Sequence, residues 1–113
     1  MSAGKKATRD KFRTDVFTRD RYTCQVCGKK WTPNDEDPDL HRINSHHISD
    51  RTTLPNGGYV KENGITVCEQ PCHLKVEQFH LTGSALPGLH PDNLYAIVKS
   101  NKDLAFRKSL QLL

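Results

Sequence analysis

Residues 45–80 read S-H-H-I-S-D-R-T-T-L-P-N-G-G-Y-V-K-E-N-G-I-T-V-C-E-Q-P-C-H-L-K-V-E-Q-F-H, and this stretch decides what the chain can be. It opens on the pair His46-His47. A Gly-rich turn follows at Asn56-Gly57-Gly58, and a second turn signal at Asn63-Gly64. It closes on Cys68, Cys72 and His73, with Glu77 and His80 just beyond. Imidazole, thiolate and carboxylate are the side chains that hold metals and move protons. Their concentration in so short a span is hard to explain by packing.

Upstream, Tyr22 to Trp31 reads Y-T-C-Q-V-C-G-K-K-W. Cys-x2-Cys-Gly is the pattern of a zinc knuckle, whose tight turn points both sulfurs inward. Cys24 and Cys27 with Cys68 and Cys72 make C-x2-C…C-x3-C, the whole cysteine complement of the chain. Two such pairs predict a closed, tetrahedral, structural Zn2+. The second spacing is one residue longer than the commonest form, with Pro71 in the extra position. The bland alternative is a set of reduced thiols or a redox dithiol. Zinc here would pin the knuckle onto the helix that follows Cys72.

The histidines predict a second, open metal site. His73 and Glu77 are four residues apart on an expected helix, so both can face one ion. Metal-assisted phosphodiester cleavage needs a base for water, a cation for the phosphate and leaving oxygen, and a group that holds the base. Neutral imidazole suits the first task, imidazole with carboxylate the second, and an Asn amide the third. On a regular strand His46 and His47 would point to opposite faces. Both serve one site only if the strand ends or kinks there.

The pieces R-D-R-Y-T-C-Q-V-C-G, S-H-H-I and N-G-I-T-V-C…C-H together resemble the HNH endonucleases, in the branch that carries a four-cysteine zinc. The resemblance covers about Arg19 to His80. It implies an α+β fold: a small zinc-stabilised ββα-metal (HNH, treble-clef-like) domain with flanking helices. It also implies His46 as a ligand of the catalytic metal, His47 as general base, Asn63 as orienter of the base, and His73 as the final ligand. Where some members have a further His, this chain has Glu77, which becomes the third ligand, with His80 as the alternative. The native catalytic ion is left open among Mg2+, Mn2+, Ni2+ and Zn2+. The implied substrate is DNA, double-stranded, bound through the minor groove. The enzyme would act as a monomer or weak dimer, in a phage-packaging or restriction setting.

The rest of the chain is read around this centre. At 113 residues it makes one domain, and 35% hydrophobic residues make a modest core that metal cross-links would supplement. The formal charge is +4; four thiolates around one Zn2+ would lower it by two. Lys5, Lys6, Arg9, Lys11, Arg13, Arg19 and Arg21 crowd the N-terminal region, as phosphate contacts or as a solvated face. No apolar leader or membrane-spanning run is present in the sequence, which predicts a cytoplasmic location.

Residues 1–8 are expected to be a basic disordered terminus, 9–81 the nuclease domain, and 82–113 a linker and C-terminal helices packed on it. A helix is expected over Thr8 to Asp20, docked by Phe12 and Val16, with Thr8 as N-cap. Trp31 is read as cover for the knuckle, and Pro33 to Asp39 as an acidic loop facing away from DNA. Strands are expected within Leu40 to Ile48, at Tyr59-Val60, and over Ile65 to Cys68. Pro71 is expected to open a helix. Two more are expected, over Pro91 to Lys99 (Leu94, Ile97 and Val98 on one face) and Leu104 to Leu113 (with Leu104, Phe106, Leu110 and Leu113). His41 and His90 are read as surface histidines. Two rivals remain: a non-catalytic zinc-dependent DNA-binding module, and an adaptor zinc domain in a larger assembly. The first has no use for His46, His47 and Asn63 together; the second differs in partner more than in the site.

Overall fold

The computed structural model describes residues 2–31 and 42–112. The acidic loop at 33–39, Leu40 and His41 lie outside them. The chain is a small α+β domain. In order it forms helix α1 (Ser2–Arg19), strand β1 (Ile43–His47), strand β2 (Gly64–Cys68), and helices α2 (Leu74–Thr82), α3 (Pro91–Ile97) and α4 (Lys102–Leu110). Three 3-10 turns link the strands, at Arg51–Thr53, Pro55–Gly58 and Lys61–Asn63. A π-turn over Glu69–His73 leads from β2 into α2. Among the described residues no helix is long and apolar enough to cross a membrane.

The strands pair antiparallel, with His46 opposite Ile65 and His47 opposite Gly64. Alternation sends Ile65 and Val67, both fully buried, into the main core with Ile48, Val76, Leu94, Tyr95 and Ala105. The other face receives α1 through Phe12 and Val16, one turn apart and buried as expected. That docking is close: a Cβ on Gly64 would stand 2.8 and 2.9 Å from the Phe12 ring and would also strike Val16. The free edge of β2 is closed by the knuckle side. Thr66 N–H donates to Asp20 Oδ2 at 2.9 Å, and Thr66 C=O accepts from Gln25 N–H at 2.9 Å. Arg19 holds Asp20 and donates to the Lys61 and Gly64 carbonyls, so a predicted phosphate-binding cation is spent inside the fold.

Several expectations are corrected. Helix α1 starts at Ser2, through the segment expected to be disordered, and Thr8 lies within it rather than capping it. Tyr59 and Val60 form no strand; the chain turns through them, and Tyr59 packs on His47 instead. On α3, Tyr95 is buried beside Leu94 while Ile97 is exposed. On α4, Ala105 and Ser109 face inward, and Phe106 and Leu110 are exposed. The reason is close approach: Asn56 Nδ2 donates to the Ser109 and Leu112 carbonyls at 2.9 and 2.8 Å, which leaves room only for small side chains. Trp31 is half-buried and stacks on Tyr22 at 5.9 Å, outside the main core.

Replacing Gly64 by Ala drives a methyl into Phe12 and Val16. The variant should lose about 1–3 kcal/mol of stability, read as a lower denaturation midpoint at unchanged m-value.

Candidate active site and metal centres

The four cysteines come from three pieces of chain. Cys24 and Cys27 lie in the knuckle, Cys68 ends β2, and Cys72 sits in the π-turn. None is in a disulfide, and their sulfurs all lie within 4.8 Å of one another. Cys27 Sγ and Cys68 Sγ are 3.8 Å apart. A tetrahedron with Zn–S arms of ~2.3 Å has edges of about 3.8 Å, so the cluster has the dimensions to hold a metal ion such as zinc. Burial pushes the Cys24 thiol up, but the backbone N–H groups of Cys27, Cys68 and Val26 outweigh it and bring it to about 7. Cys27 N–H lies 3.4 Å from Cys24 Sγ, the kind of donor that stabilises a thiolate ligand.

The second cluster is His46, His73 and Glu77, whose ligand atoms also lie within 4.8 Å of one another. β1 supplies His46, the end of the π-turn supplies His73, and the first turns of α2 supply Glu77. His46 Nδ1 is 3.0 Å from Glu77 Oε1, and His73 Nε2 is 3.4 Å from the same oxygen. Arms of ~2.1 Å give ligand–ligand edges of about 3.0 Å at right angles and about 3.4 Å in a tetrahedron. His46 is 2% exposed, and neither ring nitrogen has a hydrogen-bond partner. The contact to Glu77 is short but lacks hydrogen-bond geometry. An orphaned, buried imidazole aimed at a carboxylate and a second imidazole fits a cation.

Protonation suits the same role. The close His46 ring holds the Glu77 carboxyl down at about 2, against the upward push of burial. Burial lowers His46, outweighing the pull of Glu77. At neutral pH the cluster therefore presents a carboxylate and a neutral imidazole, the forms that bind metal.

His47 points to the opposite face of β1 from His46, as alternation requires. There it stacks on Phe12 at 4.5 Å between ring centres and meets Tyr59 edge-on at 4.7 Å. Burial, then the charges of His46 and Arg51, lower it to about 4, so it is a free base at neutral pH. Both histidines still line one cavity of about 230 Å³, with Asp50, Arg51, His73 and Glu77. The strand ends at His47, and the chain turns around the rim.

Asn63 is fully buried but does not touch His47. Its Oδ1 accepts from Ser49 N–H at 2.9 Å and from Tyr95 O–H at 2.8 Å. Its Nδ2 donates to the carbonyls of Ser49 and Gly58 at 3.1 and 3.2 Å. It thus fixes the loop two residues after His47. His80 is not in the ligand cluster: its ring stacks on His46 at 5.2 Å, and its Nε2 bonds to the His47 carbonyl at 2.9 Å. His90 caps α3 by accepting from Asp92 N–H. Sequence reasoning missed Tyr95, whose hydroxyl also bonds Ser49 Oγ at 2.7 Å. A tyrosine beside Leu94 on a short helix gave no sign of that partnership.

Comparison with protein-family models, with curated proteins and with solved structures finds no match.

Two outcomes are expected. One equivalent of Co2+ should give the thiolate charge-transfer and d–d bands of a tetrahedral sulfur site, lost in Cys68→Ser. Tyr95→Phe leaves Ser49 Oγ and Asn63 Oδ1 each one partner short and should cost about 1–3 kcal/mol by urea titration.

Proposed function

We propose that this chain is a metal-dependent endonuclease of the HNH type, hydrolysing DNA phosphodiester bonds, with a structural zinc on Cys24, Cys27, Cys68 and Cys72. The observation that carries the reading is one cavity holding a metal-ready triad and a neutral imidazole side by side. A binding module would gain nothing from burying His46 with unpaired nitrogens.

In this reading His46, His73 and Glu77 would hold a divalent cation, which when bound would supply positive charge for the reacting phosphate and the departing 3′ oxygen. An imidazole nitrogen of His47 takes a proton from water. The water oxygen bonds to phosphorus in line, the bond from phosphorus to the 3′ oxygen breaks, and that oxygen is protonated from solvent. The products are a 5′ phosphate and a 3′ hydroxyl. Phe12 and Tyr59 keep His47 neutral and fixed in orientation. Asn63 and Tyr95 hold the loop behind it, and His80 anchors its carbonyl.

The polyanionic substrate finds charge on α1. Lys6, Arg9 and Arg13 are exposed and share one helical face, on the same helix whose Phe12 touches the base. Lys11 differs, being paired with Asp15 at 2.6 Å.

Supercoiled plasmid tests the assignment. The wild type should nick it only with a divalent cation. His47→Ala, still zinc-loaded and folded, should be slower by about 10²–10⁴-fold. A His47→Ala protein as active as the wild type would sink the base assignment. An inert wild type that still retards DNA in a gel would favour the binding-module reading.

A further inference from the structure

The cavity has one feature that neither the ligand triad nor the base explains. Arg51 lines it, exposed, on the first residue of the 3-10 turn that Asp50 caps. Among the described residues it forms no ion pair. An arginine on a surface turn ordinarily needs no explanation, but this one is held. Its Nη1 donates to Tyr59 Oη at 3.0 Å. Tyr59 in turn stands edge-on to His47 at 4.7 Å and to Phe12 at 5.7 Å. The ring can lie back over its own turn because residue 57 is glycine: a Cβ there would stand 2.7 Å from Tyr59 Cε2. The guanidinium, the aromatic ring and the imidazole form one chain of contacts across the rim.

Charge gives the arginine a task. The carboxylates of Asp50 and Glu77 against the guanidinium of Arg51 sum to −1 in the cavity lining, which repels a phosphodiester. A divalent cation would make it +1; without Arg51 the sum with the cation would be zero. Tyr59 occupies one of the five guanidinium N–H donors, and the remaining fork matches the paired oxygens of a phosphate.

We propose that Arg51, steadied by Tyr59, binds a phosphate of the DNA strand lying in the cavity, and that Tyr59 ties this contact to the position of His47. The proposal rests on reading the cavity as a phosphodiester site. Arg51 is a substrate-binding residue and Tyr59 a positioning residue.

Two readouts test it on the full chain. In plasmid nicking, Arg51→Ala should lower kcat/KM by about ten- to a hundredfold at unchanged melting temperature and metal content. Arg51→Lys should recover part of this. Tyr59→Phe keeps the ring against His47 but loses the acceptor; its smaller loss should not add to that of Arg51→Ala in the double variant. In the second readout, a fluorescent duplex is titrated onto His47→Ala protein with metal present at several salt concentrations. Adding Arg51→Ala should reduce the slope of log K against log salt by about one. An unchanged slope overturns the proposal, as does a Tyr59→Phe loss fully additive with that of Arg51→Ala. If the wild type cuts no DNA but the slope still falls, the phosphate contact stands and the nuclease reading fails alone.

Discussion

Everything near the cavity depends on burying His46 at the centre of a small domain without a hydrogen bond on either nitrogen. A buried group with no hydrogen bond costs about 1–3 kcal/mol, which the Glu77 carboxylate at 3.0 Å offsets in part. The fold accepts that cost and builds around it. β1 fixes the backbone of His46, α2 brings Glu77 to 3.0 Å, and the His80 ring covers one side. A core designed for stability alone would place an aliphatic residue opposite Ile65. A local rule broken where the surroundings are otherwise well packed is the pattern expected of a functional or strained site.

The alternation of a strand then separates two tasks. His46 faces α2 and the carboxylate; its neighbour faces α1 and two aromatic rings. One pleat thus gives adjacent histidines different electrostatic surroundings, one beside an anion and one in an apolar sandwich. They meet again only because β1 stops at His47 and the chain bends around the cavity. That bend is what Asn63 fixes, through Ser49 and Gly58, with Tyr95 as the second donor to its Oδ1. Asn63 therefore acts on the loop that follows His47, through backbone partners, and α3 becomes part of the cavity's support.

Much of the site could be read from the sequence because ligand chemistry is written in residue type and spacing. The cysteine pairs, His46, and the i, i+4 relation of His73 and Glu77 need only local geometry to be recognised. The choice between Glu77 and His80 needed the fold, since both lie on α2 within reach and only their partners separate them. The missed features are tertiary. Tyr59 has the composition of a strand residue, yet no partner strand exists for it, and packing on His47 wins. The apolar residues of 104–113, Phe106 and Leu110 among them, do not by themselves show which side of the helix is buried. The backbone of α4 approaches the Pro55–Gly58 turn closely enough to bond Asn56, and Ala105 and Ser109 fit that gap. The end of α1 shows the same override: Arg19 reads as a phosphate contact or a solvated charge but donates to the carbonyls of Lys61, in a 3-10 turn, and Gly64, in β2.

The two clusters differ in chemistry and share a peptide bond. Four thiolates at tetrahedral distances make a closed, soft set that suits zinc. Two imidazoles and a carboxylate, opening onto a cavity, make a set with room for further oxygen ligands. Cys72 belongs to the first and His73 to the second. A cation among the sulfurs would fix Cys68, which precedes the π-turn, and Cys72, which lies within it, and with them the direction in which His73 and then Glu77 follow. The preorganisation of the second cluster would then come from the sulfur cluster rather than from a hydrophobic core that this short chain can supply only in part. This explains why the extra residue in the second cysteine pair matters. The longer C-x3-C spacing accommodates the π-turn, and the π-turn delivers the adjacent histidine to the other cluster.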